Sequence, residues 1–179
     1  MQSRQNTGSF EGSTGGDPSV VFASLSGPLP VLIERYEAFV KTLEGHRSAI
    51  SKADGRGIDT AIAAETELLD ELTDLDIRCR TALGHGEPGT GGWRLTTLAE
   101  AVGGDDGARL AESAAYLKAL TSRAETLQRS IREASASMAS HIDGLVRRVS
   151  QRLSHSGTYG AAGVVESRAA VVSGLDMSL

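Results

Sequence analysis

The chain has 179 residues and 18.7 kDa, with 40% hydrophobic residues, 4% aromatic residues and a net charge of -5. That length suits one domain with flexible ends, and the apolar content is compatible with a real core. The acidic balance, with a pI near 5.4, argues against a nucleic-acid binder, because no phosphate-tracking surface is implied. With so few aromatics and with aliphatic residues at helical spacing, the core is expected to be a narrow helix seam.

Residues 1–27 are rich in Gly, Ser and Thr, and the leader MQSRQNTGSFEGSTGGDPS has no continuous apolar stretch after Arg4. It is therefore expected to be neither a secretory signal nor a membrane anchor but a disordered leader. Val20, Val21, Phe22 and Leu25 are its one sticky patch.

Pro28 and Pro30 suit the start of a helix, after which Leu29, Leu32, Ile33, Tyr36, Phe39, Val40, Leu43 and Ile50 recur at steps of three and four. Gly55 and Gly57 are expected to end it. A second helix is expected from near Asp59, as its cap, with Ile58, Ile62, Leu68, Leu69, Leu72, Leu75, Cys79 and Leu83 on its apolar side. Gly84 and Gly86 stop it, and two helices joined by a short turn make an antiparallel hairpin that must bury its stripes against a third element.

The segment GHGEPGTGGWRL is too rich in glycine to be regular, and a short helical stretch follows from Thr97 to Val102. Trp93, the sole tryptophan, is expected to pack over one end of the bundle. The final helix is expected from Asp106 to Ser156. Its stripe is Leu110, Leu117, Leu120, Ala124, Leu127, Ile131, Ala134, Met138, Ile142, Leu145, Val149 and Leu153, nearly heptad in spacing, with a stutter at Ala134, Met138 and Ile142. Such a helix would span roughly 75 Å against about 35 to 40 Å for each hairpin helix, so part of it should outrun the hairpin.

Charge supports the pairing. Residues 28–83 carry seven Lys/Arg and eleven Asp/Glu, net -4, and residues 108–152 carry eight and four, net +4. Exposed pairs contribute at most about 1 kcal/mol each, so most of these charges simply solvate a face. The fold expected is thus all-α: an antiparallel helical hairpin on a long C-terminal helix, an elongated three-helix bundle over residues 28–156, with disordered tails at 1–27 and 157–179.

No chemistry is expected of this bundle. His46, His85, His141 and His155 lack metal-ligand spacing, and most of them read as surface side chains. Cys79, the single cysteine, permits no internal disulfide, points to a reducing compartment and reads as a buried structural thiol. Asp70, Glu71, Asp74 and Asp76 read as a solvated face, and the glycines near residue 90 lack the Lys-Ser/Thr ending of a phosphate loop. No enzyme, cofactor or metal is implied.

Past the long helix, SGTYGAAGVV carries Gly157, Gly160 and Gly163, each costing about 1 kcal/mol inside a helix. Tyr159, Val164, Val165, Val171, Val172, Leu175 and Met177 are apolar groups without an evident core, the look of a partner-binding arm. The helix-two stretch AAETELLDELTDLDIRCRTAL, Ala63 to Leu83, and SHSGTYGAAGVV, Ser154 to Val165, within the order hairpin, loop, long helix and Tyr-Gly segment, resemble the FlgN family of flagellar export chaperones. The resemblance covers Leu29 to Leu179. It implies a cytoplasmic chaperone that holds hook-filament junction proteins, FlgK-like and FlgL-like, before delivery to the flagellar type III export apparatus. Carried onto this chain, client binding falls on Tyr159, Gly160, Gly163, Val164 and Val165, with Leu145, Val149 and Leu153 as the platform. The competing reading is a coiled-coil scaffold or oligomerisation module, in which the end of the long helix meets its copy in another chain.

Overall fold

The computed structural model describes residues 16–85 and 92–155, with side chains up to residue 152. Among the described residues it is all-α: α1 Pro18–Leu25, α2 Pro28–Ser51, α3 Gly55–Ala82, α4 Leu95–Val102 and α5 Gly104–His155. The chain divides into two compact units, Met1–Ala134 and Ser135–Leu179.

The first unit is built on the α2–α3 hairpin. Leu29, Leu32, Phe39, Leu43 and Ile50 of α2 are buried against Leu72, Leu75 and Cys79 of α3, as their spacing requires. The first part of α5 closes this core with Leu110, Ala124, Leu127 and Ile131, and Leu127 is only 1% exposed. Two side-chain bonds fix its direction. The Tyr116 hydroxyl donates to Glu37 at 2.7 Å and Arg123 donates to Glu44 at 3.0 Å. Both partners advance by seven residues, so α5 runs parallel to α2. Arg123–Glu44 and the hairpin's own Arg35–Glu71 pair at 2.9 Å are exposed, so they align helices more than they stabilise them.

Three local features depart from the sequence reading. The first is α1, a helix inside the segment expected to be a disordered leader. Pro18 fills the first turn, where its missing N–H costs nothing, and the Asp17 carboxylate caps the helix by accepting from the Ser19 amide at 2.9 Å. Val21 and Leu25, four apart, are buried, and the Trp93 indole N–H reaches the Gly16 carbonyl at 3.2 Å. Trp93 itself is half-buried against the core, over this end of the bundle. Residues 1–15 lie outside the described residues, as do 86–91 of the glycine loop.

The second concerns the hairpin turn. The cap of α3 is Asp54, not Asp59: its extended backbone lets its carboxylate accept from the Gly57 amide at 3.1 Å. Gly55 and Gly57 therefore open α3 instead of ending α2. The reversal is made by Ala53, at φ 52, a left-handed conformation that L-residues other than glycine adopt at a cost of about 1 kcal/mol. Between α4 and α5 the same need is met by Gly103 and Gly104, at φ 65 and 59.

The third is His46, which is buried, only 6% exposed, and not at the surface. It continues the row of Phe39 and Leu43 at a step of three, and its Nδ1 lies 2.7 Å from Glu65 Oε1 on α3, so the polar ring enters the core with its partner.

Candidate functional site

The stripe of α5 has two fates. Before the end of the first unit Leu110, Ala124, Leu127 and Ile131 are buried and Leu117 and Leu120 partly so, and Ala134 is the last of its residues to pack on the core of that unit. In the second unit the same periodicity continues through Met138, which is partly covered, to Ile142, Leu145 and Val149, and there the cover ends: Ile142, Leu145, Val146 and Val149 are 45 to 57% exposed. Steps of three and four place these four aliphatic side chains on one side of the helix. Arg148 and Arg152 flank the row along one edge, with His141 one heptad before Arg148. Neither arginine has an ion pair among the described residues, whereas Arg147, around the back, is paired with Asp143.

This helical stretch has little intrinsic stability. Ser135, Ser137, Ser140, Gly144, Val146, Val149 and Ser150 are poor helix formers, and an isolated helix of this length is marginal in water. It is helical because it continues a helix nucleated elsewhere, which removes the nucleation cost.

Leu145 and Val149, two platform residues expected from the resemblance, therefore lie together on an exposed apolar row. Leu153 is in α5, with its side chain outside the described residues. Tyr159, Gly160, Gly163, Val164 and Val165 also lie outside them. Ile142, which the spacing places on the stripe, and Val146, which it does not single out, complete the row.

A second exposed row lies on α3, where the sequence reading had placed core. Ile62 and Leu69, assigned to the inward side, are 48% and 45% exposed, and Ile77 is 56% exposed. Leu72, Leu75, Cys79 and Leu83 are buried as expected, and Ala61 takes the inward place expected of Ile62. Ile62 and Leu69 are each one step away in sequence from inward positions, Ala61 and Leu68, and a one-step offset is a 100° rotation. The preference for the larger residue at 61/62 misplaced the stripe.

Cys79 is buried and free, and its thiol titrates above the usual range because burial disfavours the thiolate, with the Asp76 carboxylate adding to the effect. Such a thiol is a poor nucleophile. Tyr36 is likewise pushed up, first by burial and then by Asp76. Among the described residues no group of three His, Cys, Asp or Glu side chains is placed to share a metal ion, and no helix is long and apolar enough to cross a membrane.

Comparison with known proteins bears on what this arrangement is for. No curated protein and no solved structure matches the chain. The FlgN protein family matches residues 22–167, a span that begins within α1, includes the hairpin and all of α5, and continues through the Tyr-Gly segment. The match covers well over half of the sequence: the chain belongs to the FlgN family, a family of flagellar export chaperones and not of enzymes.

Proposed function

We propose that this protein is a cytoplasmic type III export chaperone that holds hook-filament junction proteins, FlgK-like and FlgL-like, and passes them to the flagellar export apparatus. The observation that carries the reading is the exposed row Ile142, Leu145, Val146 and Val149 at the end of a helix whose earlier stripe is buried. A client's amphipathic terminal helix is the natural cover for such a row.

Magnitudes indicate that the row does not act alone. Fully burying an aliphatic side chain is worth about 1.5 to 3 kcal/mol, and these four are already half covered, so completing their burial is worth roughly 3 to 6 kcal/mol. Association costs at least about 4 kcal/mol in lost freedom. The platform by itself about breaks even, and the surplus has to come from Leu153, Tyr159, Val164 and Val165, with Gly160 and Gly163 letting the backbone approach the client. Ordering of this segment on contact gives a reversible complex, suited to a protein that must release its cargo.

The test is co-purification from flagellated cells of the source organism with the intact chain, a chain ending at Ser156, and the double variant Leu145→Asp/Val149→Asp. Recovery of hook-filament junction proteins by the intact chain alone, with unchanged helical circular dichroism in all three, is the expected result. Equal recovery by the truncated chain would remove the tail from the site, and recovery of none by the intact chain would overturn the client assignment.

A further inference from the structure

The exposed row on α3 has a composition that the chaperone reading does not use. Ile62, Thr66, Leu69, Thr73 and Ile77 lie within one narrow sector of that helix. The two threonines are not polar breaks in it. Thr66 Oγ1 donates to the Ile62 carbonyl at 2.9 Å and Thr73 Oγ1 to the Leu69 carbonyl at 2.7 Å, so their hydroxyls are satisfied within the helix and their methyl groups remain for a partner. Leu69 and Thr73 also form a wall of a surface groove of about 360 Å³ whose floor includes Phe39, Leu72 and Ala124. Asp70 and Asp74, four apart and without ion pairs among the described residues, edge the row on one side. Glu125 lines the groove, as does Asp76, which is paired with Arg80.

The row on the second unit of α5 is its counterpart in charge: aliphatic residues edged by Arg148 and Arg152, also four apart and also without ion pairs among the described residues. The edges have opposite hands. Around the α3 axis Asp70 and Asp74 follow the apolar row in the sense of increasing residue angle, whereas around α5 Arg148 and Arg152 precede it. When helices pack face to face in parallel, the following edge of one meets the preceding edge of the other, as e and g positions do in a parallel coiled coil, whereas antiparallel packing joins like edges. The acidic and basic edges thus meet only in parallel packing.

We propose that a second copy of this chain occupies the α3 face: the Ile142–Arg152 stretch of α5 from one copy lies parallel on the Ile62–Ile77 face of the other, with Arg148 and Arg152 against Asp70 and Asp74. Each chain carries both faces, so two copies that exchange the contact reciprocally cover four rows for a single loss of freedom of association. This engages the side chains assigned above to client binding, so self-association and client holding exclude one another. That corollary rests on the client reading; the association itself is measured without any client.

The experiment is sedimentation equilibrium of the full chain from submicromolar to about 100 μM, with circular dichroism confirming the fold of every variant. The wild type is expected to pass from monomer to dimer. Asp70→Arg/Asp74→Arg and Arg148→Asp/Arg152→Asp are each expected to weaken the dimer about tenfold or more, through reversed charge pairs at both contacts. An equimolar mixture of the two double variants should dimerise again, because in the heterodimer one contact is native and the other has both charges reversed. A wild type monomeric at every concentration overturns the proposal. So does a dimer indifferent to Asp70→Arg/Asp74→Arg, the signature of α5 meeting its own copy, or a mixture that fails to recover.

Discussion

The two parts of α5 share a helix and a near-heptad stripe, yet Leu127 is 1% exposed and Val149 56%. Up to Ala134 the stripe meets the α2–α3 hairpin and becomes core; from Met138 onward it meets nothing within the chain's described core. The difference shows that periodicity specifies which side of a helix wants a partner and leaves open whether the chain supplies one.

This contrast can be broken most severely at Leu127. Leu127→Ala should lower the unfolding free energy by about 2 to 5 kcal/mol in urea titration, since the transfer loss and the cavity add at a fully buried site. A loss below 1 kcal/mol would mean that the first half of α5 is not core. Removing the turn cap is the next step down. Asp54→Ala should cost about 1 kcal/mol and Asp59→Ala close to nothing, and equal effects would contradict the cap seen at Gly57. In the opposite direction, Ala53→Gly should gain about 0.5 kcal/mol, as relief of the left-handed strain exceeds glycine's added chain entropy. The smallest effect is expected at the exposed row: Leu145→Ala should change stability by less than about 0.5 kcal/mol while impairing client recovery. Hydrogen exchange sharpens the same comparison. Amides around Leu110–Ile131 should exchange only with global unfolding and follow the shifts above, whereas those around Met138–Arg152 should exchange by local fraying and ignore them.

Alkaline pH probes the packed part alone. Burial raises the Cys79 thiol and the Tyr36 phenol above their ordinary values, so both stay protonated in the fold where the unfolded chain would ionise. Their contribution to stability is complete below the unfolded thiol value, about 8.5, and is lost as pH rises through the folded value. Urea midpoints are expected to hold from pH 7 to about 8.5 and then fall, and Cys79→Ala should delay that fall until phenols begin to titrate.

Much of this was legible in the sequence because the strongest signals are periodic. The hairpin, the long last helix and the inward positions Leu43, Leu75, Leu110 and Leu127 follow from steps of three and four, and the FlgN likeness from the order of segments. What was not legible depended on tertiary partners. Ile62 and Leu69 look inward by hydrophobicity, yet the α3 axis is turned so that Ala61 meets the core. His46 looks like a surface histidine until Glu65 arrives beside it from α3. In α1, a proline, a capping aspartate and two aliphatic residues amid Gly and Ser give only one turn of pattern, too little to read without Trp93 and the core behind it. The client-binding role proposed for Tyr159 to Val165 rests on the family likeness, since glycine spacing alone does not say what a segment binds.

The parallel run of α5 along α2 also sets an order of assembly. The bonds that dock α5, from Tyr116 to Glu37 and from Arg123 to Glu44, each join residues 79 apart in sequence, whereas Glu65 is only 19 from His46 across the hairpin turn. Closing the larger loop costs more entropy, by the logarithm of its length, and is slower. On the ribosome the hairpin can therefore zip as soon as α3 has emerged, while its open apolar side waits for a helix that has not yet been synthesised. For that interval the nascent chain presents an uncovered groove of its own and is itself in need of the protection that its finished form gives to others.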